Sequence, residues 1–233
     1  MGYDLNLYVL TETPFDQAFL KPPSTTKPLM TIQQYLGKYP YHKNITLIGP
    51  RYEGPVRSES FVEPVLFVDG GTHFRQGKEG YSLGDGDSYQ GLLDTTLAQQ
   101  KDFSDLAFAL HSLSPNFTSL ALLGFLGGRR DHELFNFGEV HHFVRQRSPG
   151  TKVRFDQEVM VFSAGEWTFP LHGLFSLATL ETTSFSMFGE CEYPVLQATE
   201  LKPLGSLGLS NFGQGLVTIR CSGPMLLFTK LEE

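Results

Sequence analysis

Cysteine and long apolar runs are scarce in this 233-residue sequence. Its two cysteines, Cys191 and Cys221, are too few for a disulfide framework and lack the spacing of a metal site, so both are predicted to be buried thiols. No apolar run approaches the ~20 residues that cross a bilayer. The sequence therefore matches neither a disulfide-stabilised scaffold nor a protein that crosses the membrane by helices.

Basic residues are also in the minority. The chain has 18 Lys and Arg against 25 Asp and Glu, a net charge of -7, and the basic residues are dispersed. Because affinity for a phosphate backbone requires clustered Lys and Arg, we expect no nucleic-acid partner. The segment Met1–Asn6 lacks the basic, apolar and small-residue order of a secretory signal, so a cytoplasmic protein without a membrane partner is expected.

Three short apolar runs, residues 44–50, 64–71 and 119–128, each end in glycine-rich sequence. Runs without alternation are typical of strands buried on both faces of a parallel sheet. A helix is predicted over residues 102–113 with Asp102 as its cap. A second helix is predicted from near Asp131, with His141 and His142 on its surface. Its inward side would carry Leu134, Phe137, Val140 and Val144.

The pattern changes at residues 148–150, after which short alternating runs are separated by turn signals such as His172-Gly173. The fold class predicted is therefore α/β, with an N-terminal, mostly parallel sheet flanked by helices and a C-terminal antiparallel β domain. We divide the chain into residues 1–43, a short strand with a Pro-rich loop, then 44–148 and 149–233.

Residues 84–88, Gly-Asp-Gly-Asp-Ser, follow a predicted strand and carry the first chemical signal. The side chains of Asp85 and Asp87 flank one residue, so both can point to the same side and share a hard cation through oxygen. We interpret the loop as half of a magnesium site. The alternative is a surface turn, because Asp-Gly is a common turn dipeptide.

Two further segments carry charged residues at predicted helix starts. Residues 101–105, Lys-Asp-Phe-Ser-Asp, place Asp102 and Asp105 in a first helical turn, where capping is the alternative to metal binding. Residues 127–132, Gly-Gly-Arg-Arg-Asp-His, combine two guanidinium groups suited to phosphate with an acid and an imidazole. Because ligands bind at the carboxyl ends of parallel strands, these loops are predicted to converge.

Together these blocks resemble the thiamine pyrophosphokinase family. The resemblance includes Asp69-Gly70-Gly71, the two aspartate segments, the 127–132 segment with Asn136, and Leu209-Ser210-Asn211, and it spans about residues 44 to 229. It implies an ATP-binding α/β domain, a C-terminal β-sandwich that binds thiamine and forms the dimer contact, and a homodimer. The implied reaction is Mg²⁺-dependent transfer of diphosphate from ATP to thiamine, which yields thiamine diphosphate and AMP.

The resemblance also implies roles for single residues, each matched by position. The metal ligands would be Asp85, Asp87 and Asp105. The nucleotide and phosphate site would be formed by Asp69, Gly70, Gly71, Asp102, Ser104, Arg129 and Arg130. Asp131 would orient the thiamine hydroxyl, with Arg129 and Asp105 as its partners in catalysis, and the thiamine pocket would include Asn136, Ser210 and Asn211.

The sequence departs from the family at Gly86, where the family has a bulky apolar residue, and in residues 1–43, which have no counterpart in its compact members. These departures leave two other functions open. One is diphosphate transfer to another small alcohol, such as a hydroxymethylpterin. The other is a non-catalytic module that binds nucleotide or thiamine.

Overall fold

The computed structural model describes residues 30–54 and 62–229, so the predicted N-terminal strand lies outside the described residues. The described α-helices are α1 (Ile32–Leu36), α2 (Asp105–His111) and α3 (Arg130–Arg145). The strands are β1 (Asn44–Ile48), β2 (Val65–Val68), β3 (Tyr81–Gly84), β4 (Thr95–Thr96), β5 (Ser119–Leu123), β6 (Lys152–Phe155), β7 (Val159–Phe162), β8 (Gly165–Ala178), β9 (Thr183–Cys191), β10 (Val195–Leu201), β11 (Asn211–Cys221) and β12 (Met225–Phe228). Short 3₁₀ turns occupy Asp69–Phe74 and Ser206–Gly208.

The strands form one continuous sheet in the order β10-β9-β11-β8-β12-β7-β6-β5-β1-β2-β3-β4. The six strands from β6 to β4 in this order are parallel to one another, whereas every pairing from β6 to β10 is antiparallel. The prediction of parallel strands on the N-terminal side of an α/β fold is confirmed. Since β6 pairs with both β5 and β7, the two strand arrangements share one sheet.

The three helices pack on one face of the parallel strands, and a single apolar core lies between them and the sheet. Tyr35 of α1 belongs to this core and hydrogen-bonds the backbone of Val65 in β2. On the opposite face, Ile48, Val65 and Phe67 form a small cluster with loop side chains. The expectation that β5 is buried on both faces is wrong, because its Ala121 and Leu123 are only half-buried.

Helix starts and inward faces differ in detail from the predictions. Ser104 caps α2, since its side chain accepts a hydrogen bond from the Ala107 backbone N–H at 3.0 Å, whereas Asp102 lies two residues too early and is exposed. In α3, Leu134 is 50% exposed and the buried side of the helix begins only at Phe137, so the predicted inward position of Leu134 is wrong. His141 is 2% exposed, so its predicted surface position is also wrong.

The antiparallel part is built on two long strands. Strands β8 and β11 pair over their whole overlap, from Asn211 opposite Phe175 to Cys221 opposite Gly165. The turn predicted at His172-Gly173 is therefore wrong: Gly173 takes a φ of 94° inside the ladder instead. A second apolar core fills one side of these strands, including Phe162, Phe169, Phe175, Phe185, Val217 and Ile219.

Both cysteines are free thiols. Cys221 is buried as predicted, but Cys191 at the end of β9 is only half-buried. Within the described residues, every helix is too short or too polar to cross a membrane.

Candidate active site

The candidate site lies at the carboxyl ends of β2 and β3, beside the start of α2. Parallel strands end at one edge of a sheet, so Asp69 after β2 and Asp85 after β3 are brought together across the strand pair. One carboxylate oxygen from each of Asp69, Asp85 and Asp87 lies within 4.8 Å of the others. This acid triad contains both aspartates of the predicted metal loop, and its third member is a predicted nucleotide-site residue.

Short hydrogen bonds order the aspartate loop. The Asp87 backbone N–H donates to Asp85 Oδ1 at 3.1 Å, and the Ser88 hydroxyl lies 2.9 Å from Asp87 Oδ1 and 3.4 Å from Asp69 Oδ2. A ring nitrogen of His73 also lies 3.0 Å from the Ser88 carbonyl oxygen. The loop therefore holds the three carboxylates close together despite their mutual repulsion.

Asp69 is the most perturbed member of the acid triad. Burial, together with the neighbouring carboxylate of Asp105, raises its pKa to about 6 despite the opposing hydrogen bond from Ser88. Its φ of 52° lies in the left-handed region, which costs a non-glycine residue backbone energy. A bound cation would offset the unfavourable charge, and strained backbone of this kind is common at ligand sites.

Lys101 joins the acid triad to α2. Its ammonium nitrogen lies 3.1 Å from Asp85 Oδ2 and 3.0 Å from Asp105 Oδ1, with all three side chains largely buried. Burial raises the pKa of Asp105 despite this ion pair. For Asp85, burial is outweighed by hydrogen bonds from Asp87 and Lys101, so its pKa is lowered. The predicted ligand Asp105 thus stands beside the acid triad, paired with Lys101.

A second network, which the sequence reasoning missed, anchors the far end of the loop. Asp94 Oδ2 accepts hydrogen bonds from the Ser82 backbone N–H at 2.8 Å, the Ser82 hydroxyl at 3.0 Å and Arg75 Nη1 at 2.6 Å. Because these partners are distant in sequence, no local motif marks them. The network closes the loop between β3 and β4.

The predicted glycines have different roles. A Cβ atom at Gly71 would overlap the Ile48 carbonyl oxygen, so this glycine is required by the close approach of β1. Gly86 takes a φ of 80°, yet the nearest atom to an added Cβ is 3.9 Å away. At Gly86 there is therefore room for a side chain, but the positive φ disfavours any residue other than glycine.

The predicted phosphate loop lies at the end of β5 and the start of α3. Gly127 and Gly128 both take a φ near 78°, and the Gly127 N–H donates to Glu133 Oε2 at 2.7 Å. Arg129 makes two hydrogen bonds to the carboxylate of Asp131. Hydrogen bonding from Arg129 lowers the pKa of Asp131 to about 2. Asp131 is therefore a carboxylate at neutral pH.

Within α3, Asn136 donates to the Phe125 carbonyl oxygen at 2.9 Å, which ties the helix to the loop after β5. Arg130 is exposed at the helix start, and no side chain caps that helix. The loop thus offers two exposed guanidinium groups, one of them already paired with a carboxylate.

Ser210 and Asn211 lie far from the acid triad in the sheet. Ser210 is exposed with a φ of 57°, whereas Asn211 is buried and its amide bonds the backbone of Tyr193 and Phe212. Strand β11 is eight strand positions from β3, on the order of 40 Å along the sheet. Within one chain, Ser210 is therefore far from Asp85 along the sheet.

The chain matches no protein-family model, and no curated protein matches it significantly. Solved structures do match. Thiamine pyrophosphokinase from Bacillus subtilis superposes with a TM-score of 0.63 at 21% identity, over 81% of this chain and 100% of that one. The enzyme from Geobacillus thermodenitrificans gives 0.59 at 23%, over 80% and 96%, and that from Candida albicans gives 0.59 at 16%, over 90% and 94%.

These likenesses cover nearly the full length of each solved chain, so they include both the parallel and the antiparallel strands. The protein therefore has the thiamine pyrophosphokinase fold, which confirms the family resemblance of its sequence motifs at the level of the fold.

Proposed function

We propose that this protein is a thiamine pyrophosphokinase that transfers diphosphate from ATP to the hydroxyl group of thiamine, releasing AMP. The observation that carries the proposal is the convergence of Asp69, Asp85 and Asp87 at the carboxyl edge of a sheet with this fold. A reaction that moves a charged diphosphate needs charge neutralisation and alignment more than covalent help from the protein.

The acid triad fits a magnesium ion. Its donors are carboxylate oxygens, the ligands that a hard cation prefers, and they already lie within 4.8 Å of one another. Asp105 would support the site from beside the triad, through Lys101. A bound magnesium ion would neutralise charge that develops on the transferred phosphate oxygens.

Charged groups of the second loop would hold the polyphosphate. Arg130 is exposed at the start of α3, where a helix end favours anions, and Arg129 is held in position by Asp131. Gly70 removes a Cβ that would otherwise obstruct the loop after β2. Asp102 and Ser104 complete the proposed nucleotide site, with the Ser104 oxygen also committed to capping α2.

Asp131 would orient the thiamine hydroxyl by accepting its hydrogen bond. With a pKa of about 2 it is a weak base, so orientation rather than proton removal is its proposed role. An alcohol that attacks through a loose transition state loses its proton late and needs little base strength.

The thiamine pocket would be completed by a second subunit. Ser210 and Asn211 are on the order of 40 Å from the acid triad along the sheet, so a homodimer would bring the partner's copies to the site. Seven of the twelve large apolar side chains exposed in the described residues fall within residues 193–216, which gives such a dimer a surface. Residues 149–233 would then act as the thiamine-binding and dimerisation domain, a β-sandwich, beside the catalytic domain of residues 44–148.

Incubation with ATP, Mg²⁺ and thiamine, followed by mass-spectrometric identification of products, tests the proposal. We expect AMP and thiamine diphosphate in equal amounts. ADP as the product would indicate transfer of a single phosphate, and turnover only with a hydroxymethylpterin would assign another acceptor. Nucleotide or thiamine binding without any product would identify a non-catalytic module.

A further inference from the structure

Arg51, in the turn after β1, lies between the two halves of the proposed site. The preceding residue, Pro50, packs on Gly70, where an added Cβ would come within 2.9 Å of the proline Cβ. The Arg51 backbone N–H donates to the Gly124 carbonyl oxygen at 3.0 Å. The turn thus touches the acid loop on one side and the loop after β5 on the other.

The Arg51 guanidinium group lies directly on the glycine loop. An added Cβ at Gly128 would be 2.5 Å from Arg51 Nη1, and one at Gly127 would be 3.6 Å from Nε. Both glycines therefore leave room for this side chain. No sequence motif predicted the contact, because residues 51 and 128 are far apart in the chain.

Arg51 is also available to an anion. Its side chain is exposed, and among the residues described no carboxylate lies within 4.0 Å of its guanidinium group. Arg129, by contrast, has two of its donors occupied by Asp131. A phosphate that reaches the glycine loop would meet Arg51 without first breaking an ion pair.

A cavity of about 710 Å³ opens next to Arg51. Its floor is formed by β1 and β5, with Thr46, Ala121 and Leu123, and Asp156 lies at its side. Strand order reverses between β1 and β5, and such switch points are where open α/β sheets bind ligands. The volume is in the range of small-molecule sites and exceeds the size of a nucleoside.

We propose that the nucleoside of ATP occupies this cavity and that Arg51 binds the adjacent α-phosphate, an inference that rests on the proposed function. The polyphosphate would then run over the glycine loop to the acid triad. In the transfer, a bond forms between the thiamine oxygen and the β-phosphorus while the bond from that phosphorus to the α,β-bridging oxygen breaks. The electron pair leaves with AMP, and the hydroxyl proton passes to solvent. Arg51 would stabilise the charge on the departing phosphate.

The test compares Arg51→Gln with Arg220→Gln, which removes an exposed arginine from distant β11. Calorimetric titrations with AMP and with Mg²⁺ and ATP, in the absence of thiamine, measure binding without turnover. In Arg51→Gln we expect both dissociation constants to rise about 10- to 100-fold, the range for loss of a charged hydrogen bond. Arg220→Gln should match the wild type, and the Michaelis constant for thiamine should change by less than about twofold in Arg51→Gln.

A second variant tests the cavity itself. Ala121 lies on its half-buried floor, so Ala121→Leu should fill the space and weaken AMP binding while the protein stays folded. Unchanged AMP affinity in Arg51→Gln or in Ala121→Leu would overturn this proposal but would not count against the proposed function. A wild-type protein that binds no nucleotide would instead refute the proposed function.

Discussion

At the end of β3, several acids and one ammonium group meet. Asp69, Asp85 and Asp87 carry like charges at close range, and Lys101 offsets only part of that charge because it is shared with Asp105. Like charges this close raise the free energy of the folded chain. A divalent cation would remove the repulsion, so affinity for Mg²⁺ and strain in the metal-free loop have the same origin.

Replacement of Asp87 by Ala should therefore separate catalysis from stability. Asp87 is exposed and, among the residues described, hydrogen-bonds within its own loop, so the free energy of unfolding should change by less than about 1 kcal/mol. Turnover should fall at least about a hundredfold, the size of loss when one charge-stabilising group is removed. Steady-state kinetics and urea unfolding measure the two effects. Glu200→Gln, on exposed β10, is the control, and near-normal turnover of Asp87→Ala would contradict the metal assignment.

The buried imidazole of His141 gives the fold a pH dependence unrelated to the metal. Burial lowers its pKa, and the nearby charges of Glu181, His142 and Arg145 modify that effect. Above pH ~6.5 both the folded and unfolded states hold a neutral ring. Below it, the unfolded chain takes up a proton that the folded protein still excludes. The free energy of unfolding should therefore fall by up to about 1.4 kcal/mol per pH unit from this group.

Denaturant unfolding of His141→Leu at a series of pH values isolates this contribution. As pH falls from 7 to 5, the free energy of unfolding of the wild type should decrease relative to that of the variant. The difference should change by at most about 1.4 kcal/mol per pH unit. His172→Leu, which replaces an exposed histidine of β8 that is not among these neighbours of His141, is the control. Parallel profiles for wild type and His141→Leu would show that the ring titrates equally in both states.

Among the structural elements, β3 and the loop that follows are held by one carboxylate. Asp94 Oδ2 receives three donors, two from Ser82 and one from Arg75. Asp94→Ala leaves the buried Ser82 N–H without this partner, so the free energy of unfolding should fall by about 1–3 kcal/mol. It should also weaken Mg²⁺ binding, because the acid loop loses its far anchor. Asp94→Asn keeps an acceptor oxygen and should lose less on both measures, by urea unfolding and by calorimetry. Equal effects of the two variants would assign the role to charge alone.

Elements with strong local signals could be predicted from sequence. Strands β1 and β2 are apolar runs ended by Gly or Asp, and α3 has apolar residues at helical spacing. Helix α1 could not be predicted, because its five residues are too few to show a period; it exists through a Thr31–Gln34 capping box and the burial of Tyr35. The continuity of β8 was missed because Gly173 is a turn signal locally, and only pairing with β11 keeps it in a strand.

The candidate site shows the same division. Asp69, Asp85 and Asp87 could be proposed from sequence, since each follows a predicted strand at the sheet edge. The partners of Lys101 and the contacts of Arg51 could not, because they depend on which loops the strand order brings together. The acids can therefore be identified from local sequence, whereas their neighbours in space depend on the order of the strands in the sheet.

At the scale of the whole molecule, exposed apolar side chains concentrate in the antiparallel part. Leu216 of β11 is 59% exposed and Leu209 65%. If this surface forms the dimer, Leu216→Glu would bury a charge in the interface and shift the protein to monomers in sedimentation analysis. Lys152→Glu introduces the same acid at an exposed position of β6, outside residues 193–216, and serves as the control. A wild-type monomer at micromolar concentration would argue against the dimer.

An active site shared between two subunits can be tested by mixing two inactive variants. Asp85→Ala damages the acid triad, whereas Ser210→His adds bulk at a residue whose φ of 57° histidine tolerates. Each homodimer should have little activity at low thiamine concentration. After refolding together, mixed dimers contain one site with both residues intact, so about a quarter of wild-type activity should return for random pairing in a two-fold dimer. A mixture of Asp85→Ala and Asp87→Ala should recover nothing, because both changes lie in the same half of the site. Activity no higher than the mean of the separate variants would place Ser210 outside the partner's site.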